Sequence, residues 1–284
     1  MKIEKVGVVG CGQMGSGIAQ VCAQSGYSVV VSENTRELLQ KGFAAIEASL
    51  NKSVNKAKIT RQEKDNALAR ISGTTDIVEF RGCDLVIEAV AEDIDLKKRV
   101  FSGLDNICGP ETLLATNTSS LSVGEIATAT SRRDKVIGIH FFNPVPELNL
   151  LEIVKANATS DATIALSVEF AKSLGKTPVI VQDSPGFIVN RLMVPQILNA
   201  IRLVESGIAT IEDIDTAVTL GLKHPMGPLA LADLVGLDTL LNIASIIYGK
   251  SGDTQYAPPE TLKKLVASGY LGRKTRRGFY EYLG

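Results

Sequence analysis

The sequence predicts an α/β fold: a doubly wound parallel sheet, then an all-helical C-terminal domain. Three observations predict it. Short β-branched runs alternate with helix-length stretches as far as Val179-Ile-Val, the pattern made by parallel strands and crossover helices. A proline–glycine break, Asp183-Ser-Pro-Gly, then interrupts helix and strand alike. Beyond it the apolar residues recur at helical spacing. A chain of 284 residues also exceeds what one compact core usually serves. The expected domains are therefore 1–184 and 185–284.

Each element has its own signal. Val6-Gly-Val-Val is a strand ending at glycine. Gly15 to Ser25 places Ile18, Val21 and Cys22 at helical spacing, with Gly26 as its stop. Val29-Val-Val reads as a second strand, and residues 36–70 as a charged, helical insertion without strands. Asp84-Leu-Val-Ile-Glu-Ala, Leu113-Leu-Ala-Thr and Val136-Ile-Gly-Ile each resemble a buried parallel strand. In the second domain, Thr210 stands three residues before Asp213, close to a capping box. Val194, Ile197, Leu198, Ile201 and Val204 share a helix face, and Leu229, Leu231, Leu234, Leu237, Leu240 and Leu241 crowd one stretch. Asp233 and Asp238 read as helix caps, and His224 as part of a turn between helices.

Composition narrows the function. Thirty basic side chains nearly balance 31 acidic ones, so no net field draws the chain to nucleic acid or an anionic membrane. The N-terminus lacks a signal-peptide layout, and no apolar run approaches the roughly 18 residues of a membrane span. A cytoplasmic protein is expected. The four cysteines, Cys11, Cys22, Cys83 and Cys108, form no CxxC pair and read as free thiols. With only two histidines, His140 and His224, no metal site is expected.

Gly10-Cys11-Gly12-Gln13-Met14-Gly15 fits GxGxxG between a strand and a helix, at the start of the fold. Gly10 permits the tight turn, Gly12 the approach of a pyrophosphate, and Gly15 close helix–strand packing. The helix N-terminus offers N–H groups to the phosphates. Glu33 ends the second strand, where a carboxylate accepts both ribose hydroxyls and repels a 2′-phosphate. The fold is thus Rossmann-like and the expected cofactor is NAD, with NADP less favoured; Arg36 stands close enough to oppose that preference. Further along, Ala115-Thr-Asn-Thr-Ser-Ser-Leu-Ser and Gly138-Ile-His140-Phe-Phe-Asn143-Pro follow strands, where ligands bind in such sheets. Glu152 lies twelve residues beyond His140. A histidine held by a carboxylate is a general-base pair.

Gly7-Val-Val-Gly-Cys-Gly-Gln-Met-Gly-Ser-Gly-Ile-Ala-Gln, Asn117-Thr-Ser-Ser-Leu, His140-Phe-Phe-Asn-Pro, Pro185-Gly-Phe-Ile-Val-Asn-Arg and His224-Pro-Met-Gly-Pro together resemble the 3-hydroxyacyl-CoA dehydrogenases, most of all the short bacterial 3-hydroxybutyryl-CoA enzymes. The resemblance covers essentially the whole chain. It implies hydride transfer between NAD and a 3-hydroxyacyl-CoA, a reaction of fatty-acid and butanoate metabolism. His140 would be the base and Glu152 its partner, with Ser119 and Asn190 holding the substrate. The cofactor would meet Gly10, Gly12, Gln13, Met14, Gly15, Glu33, Glu92, Lys97, Asn117, Asn143 and Lys274. Lys52 and Lys56 would attract the phosphates of CoA, although a lysine cluster with Lys58 also reads as a solvated face. One departure stands out: the family usually has Asp where this chain has Glu33.

Two other readings compete. Hydroxyisobutyrate-type dehydrogenases use a lysine on the first helix of the second domain, but Phe187-Ile-Val-Asn-Arg-Leu-Met-Val-Pro has none. A non-catalytic relative would not need Ser119, His140, Glu152 and Asn190 together. The aliphatic density of so small a helical domain further suggests a homodimer joined through 185–284. The alternative is that these leucines fill one internal core.

Overall fold

The computed structural model describes residues 2–282. They divide into two compact units between Asp183 and Ser184. The first unit holds an eight-stranded sheet in the order β3-β2-β1-β4-β5-β6-β7-β8. Its strands are β1 (Lys5–Val9), β2 (Ser28–Ser32), β3 (Ile71–Thr74), β4 (Leu85–Glu88), β5 (Leu113–Thr116), β6 (Val136–Phe141), β7 (Leu150–Lys155) and β8 (Thr177–Gln182). Every pairing is parallel except β6 with β7. The strand order reverses between β1 and β4, and ligands bind at such a switch point, beyond the carboxyl ends of the strands.

Helices α1 (Gln13–Gln24), α2 (Arg36–Asn55), α3 (Arg61–Ala69), α4 (Ile94–Ile107), α5 (Val123–Ala127) and α6 (Asp161–Ser173) accompany the sheet. Their starts are written in the sequence. Thr35, Asp93, Ser122 and Ser160 each accept a backbone N–H as N-cap, and Thr60 with Glu63 forms a full capping box. The exception among the described helices of this unit is α1, whose N-cap is Gly12. Its first turn begins at Gln13, two residues before the expected Gly15. The core joins Val6, Val8, Val29, Val31, Leu85, Ile87, Ala115, Ile137 and Ile139 of the strands to Ile18, Cys22, Ile46 and Phe170 of the helices. The four cysteines are buried and unbridged.

Two strands escaped the sequence reading. β3 carries one buried apolar residue, Ile71, beside exposed Ser72 and Gly73, because it is an edge strand. β7 is a buried run interrupted by Glu152, and it runs against its neighbour β6.

The second unit is helical: α7 (Val189–Glu205), α8 (Ile211–Gly221), α9 (Pro228–Val235), α10 (Leu237–Ser251) and α11 (Glu260–Ala267). Val194, Ile197, Leu198, Ile201, Leu229, Leu237 and Leu240 are at most 1% exposed and fill its core. The crowding of aliphatic residues thus has an internal explanation. A different set faces outward: Leu192, Ile208, Leu220 and Leu222 are each more than 60% exposed.

Buried polar groups tie this unit together. Pro195 sits inside α7 and lacks the N–H that would bond the carbonyl of Arg191. The Tyr256 hydroxyl donates to that carbonyl instead, at 3.1 Å. Asp215 of α8 accepts from the N–H groups of Leu229 and Ala230, and so caps α9 from outside the helix. Asp233 was expected to cap a helix; it lies within α9. Its carboxylate accepts from the Phe279 and Tyr280 N–H groups and the Tyr282 hydroxyl, holding the C-terminal segment against the helix. Asp238, also expected to be a cap, lies inside the first turn of α10, whose N-cap is Gly236, and His224 lies in the connection between α8 and α9. No single helix among the described residues is long and apolar enough to cross a membrane.

Candidate active site

The glycine loop leaves β1 at the switch point. Gly10 has φ +94°, a conformation reserved for glycine. A Cβ on Gly15 would lie 1.9 Å from the Gly10 carbonyl oxygen, whereas one on Gly12 would meet nothing within 4 Å. The loop is therefore tight where helix meets strand and open where a ligand would approach. Gln13 is exposed and Met14 half-buried at the start of α1. Glu33 closes the loop from β2: one carboxylate oxygen accepts from Cys11 N at 2.9 Å and the other from Asn34 N at 2.8 Å. A carboxylate has about four acceptor sites, so capacity remains for ribose hydroxyls. Helix α1, without a side-chain cap or an acidic first turn, presents its N–H groups to a pyrophosphate. These features fit a dinucleotide. Cys11 contributes packing only, because burial and the nearby Glu33 push its thiol up to about 11, leaving it protonated at neutral pH.

A second cluster lies across the switch point, after β4 and β5. Asn117 lies just past β5, and its side-chain carbonyl accepts from Phe141 N at 2.8 Å, tying the ends of β5 and β6 together. Next to it, one carboxylate oxygen of Glu92 gathers Thr118 Oγ1, Ser119 N and Oγ, and Ser120 N and Oγ, at 2.6–3.2 Å. The other oxygen lies 3.4 Å from Lys97 Nζ. Burial would raise the Glu92 pKa, but Lys97 and the hydrogen bonds from Thr118, Ser119 and Ser120 outweigh it and hold the group below its ordinary range. Lys97 is itself 1% exposed. Its ammonium is enclosed by Glu88, the Val90 carbonyl and Glu92, so it bears on the site through Glu92 and has almost no surface of its own.

A histidine–carboxylate pair comes from the antiparallel step in the sheet. His140 on β6 lies directly opposite Glu152 on β7, which puts both side chains on one face. His140 Nδ1 is 2.7 Å from Glu152 Oε2, and both residues are buried. An ionised carboxylate only accepts, so Nδ1 carries the proton and the basic lone pair belongs to Nε2. The Phe142 ring stacks obliquely on the imidazole at 4.4 Å. Asn143 follows, exposed, at the head of the loop between β6 and β7. Lys176, which precedes β8, donates to the Val145 and Leu148 carbonyls and pins that loop; burial lowers its pKa.

Lys52, Lys56 and Lys58 line a cavity of about 500 Å³ with Ser49, Ser53 and, from the loop after β6, Pro144. Asn190 is buried near the start of α7 in the helical unit. Lys274, in a turn near the C-terminus, pairs with Asp238.

The comparisons with known proteins agree with this geometry. Residues 5–184 match the profile of the 3-hydroxyacyl-CoA dehydrogenase NAD-binding domain, and residues 186–282 that of the C-terminal domain. The chain belongs to the 3-hydroxyacyl-CoA dehydrogenase family. It is 46% identical over 278 residues to the 3-hydroxybutyryl-CoA dehydrogenase of Clostridioides difficile, covering 98% of this chain and 99% of that one. It is 48% identical over 282 residues to the enzyme of that name from Mycobacterium tuberculosis, covering 99% of each. The crystal structure of the (S)-3-hydroxybutyryl-CoA dehydrogenase of Ralstonia eutropha superposes with a TM-score of 0.94 at 45% identity, covering all of both chains. Membership in the family makes NAD the cofactor of the first unit.

Proposed function

We propose that the chain interconverts short-chain (S)-3-hydroxyacyl-CoA and 3-oxoacyl-CoA thioesters, 3-hydroxybutyryl-CoA and acetoacetyl-CoA foremost. The observation that carries this reading is the His140–Glu152 pair, 2.7 Å apart on facing strands of the sheet that also carries the dinucleotide cradle. The nicotinamide, when bound, supplies the hydride acceptor or donor. In oxidation, His140 Nε2 takes the proton of the 3-hydroxyl, and Glu152 stabilises the imidazolium that forms. In reduction the imidazolium returns that proton to the developing alkoxide. Ser119 holds a substrate oxygen.

Glu33 supports a preference for NAD over NADP, because its carboxylate repels a 2′-phosphate; exposed Arg36 opposes it weakly. Gly10, Gly12, Gln13, Met14 and Gly15 cradle the pyrophosphate, while Glu92, Asn117 and Asn143 bound the rest of the cofactor site. The cavity beside Lys52 and Lys56 suits the phosphates of CoA. The outward-facing Leu192, Ile208, Leu220 and Leu222 support a homodimer joined through the helical unit, and the four unbridged cysteines support a reducing cytoplasm.

The test is reduction of acetoacetyl-CoA by the purified protein, followed by loss of NADH absorbance. We expect turnover, with kcat/KM for NADH at least about tenfold above that for NADPH, a difference of about 1.4 kcal/mol. No turnover with either cofactor overturns the reaction. Equal or better use of NADPH overturns the role given to Glu33 and leaves the reaction standing.

A further inference from the structure

Glu88, which helps to enclose the Lys97 ammonium, is fully buried at the end of β4. A carboxylate there must be paired and hydrogen-bonded to persist. One oxygen of Glu88 accepts from Val90 N at 2.7 Å and from Lys97 Nζ at 2.6 Å. The other accepts from the hydroxyl of Thr116 at 2.7 Å, its register partner on β5. Lys97 reaches on to Glu92 at 3.4 Å. Glu92 in turn collects the donors of Thr118, Ser119 and Ser120 on one oxygen. That is more donors than the two lone pairs of an oxygen accept at once, so the charge on Glu92 matters beyond any single bond. The chain of contacts runs from a rigid strand end, through an enclosed ammonium, to the turn that carries Ser119.

We propose that Glu88 is a positioning residue: it fixes Lys97, which holds Glu92 where the Ser119 turn gathers around it. The two carboxylates and one ammonium leave a single negative charge, and that charge is spent on the turn. Lys97 acts through Glu92 rather than by touching the cofactor. The inference rests on the dehydrogenase reading, in which Ser119 meets the substrate.

Three variants test it: Glu88→Gln, Lys97→Met and the double variant. Glu88→Gln releases Lys97 to draw Glu92 away from the turn. It should lower kcat per folded molecule about tenfold, with NADH affinity, measured by NADH fluorescence, within about twofold of wild type. Lys97→Met strands two carboxylates without a cation and should unfold well below the wild-type temperature. Adding Glu88→Gln removes one stranded charge and should restore much of that loss. In the double variant Glu92 no longer has an ammonium to oppose its burial. Its kcat/KM should then fall on the acid side at a higher pH than that of wild type, as protonation releases the Ser119 and Ser120 N–H groups. A double variant with the wild-type pH profile overturns the proposal. So does one whose main defect is weakened NADH binding, which assigns Lys97 to the cofactor. Absence of wild-type turnover is a different outcome, and overturns the reading beneath it.

Discussion

Both units bury carboxylates, but they satisfy them differently. In the helical unit, Asp215 and Asp233 accept from backbone N–H groups and tyrosine hydroxyls. In the sheet unit, Glu88 and Glu152 face an ammonium and an imidazole. Backbone amides do not titrate, and burial with the aspartates holds the Tyr280 and Tyr282 hydroxyls above their ordinary range, so these aspartates fix the chain. The side-chain partners of the glutamates carry protons or charge: Lys97 of α4 reaches the end of β4, and His140 lies one residue from the end of β6. The difference separates carboxylates that hold a fold from carboxylates that equip a site.

The sharpest way to break this contrast is to remove His140. His140→Gln should lower kcat by about two to four orders of magnitude, the usual worth of a general acid–base, with NADH affinity and melting temperature little changed. Glu152→Gln should lower it less, because the histidine remains without the charge that supports its imidazolium. Near-wild-type turnover in His140→Gln would assign the proton transfer to another group.

Asp215→Ala should behave in the opposite way. It leaves the Leu229 and Ala230 N–H groups without their acceptor, and Tyr280 without its partner. The expected cost is about 3 kcal/mol of stability, read by denaturant unfolding, while kcat of the folded fraction stays near wild type. The burial around Tyr280 and the Asp215 carboxylate also hold its hydroxyl well above the ordinary range, so the clasp should survive moderately alkaline pH. A fall in kcat without a loss of stability would erase the distinction between the two kinds of carboxylate.

The smallest effect belongs to the exposed lysines. Lys52→Glu or Lys56→Glu should raise KM for acetoacetyl-CoA about two- to fivefold. The effect should shrink with added salt and be weaker for a short thioester lacking CoA. An equal change for both thioesters would remove these lysines from the CoA site.

Much of this was legible in the sequence, for reasons that differ from residue to residue. The glycine loop could be read because strand, turn and helix each leave a local mark. The capping threonine at 210 could be read for the same reason. β3 could not, since an edge strand with Ser72 and Gly73 exposed carries no alternation. The opposition of His140 and Glu152 depends on β7 running antiparallel to β6, and periodicity says nothing of strand direction; resemblance supplied the pair, and the register supplies its cause. Glu88 passed as the tail of an apolar strand. The signal was there, in a charged residue closing a run of buried ones. Asp233 was misread because an aspartate near a helix suggests a cap, whereas its partners lie more than forty residues downstream.

The proline in α7 has a consequence for how the second unit is made. A helix ordinarily completes its own hydrogen bonds as its residues appear. This one cannot, because Pro195 leaves the Arg191 carbonyl to be answered by Tyr256, sixty-five residues after that carbonyl. Three helices must be laid down before the first of the unit is whole. Contacts of such long reach slow folding and bind early and late segments into one transition. The helical unit is therefore suited to assemble all at once, after synthesis has passed Tyr256, rather than helix by helix as the chain emerges.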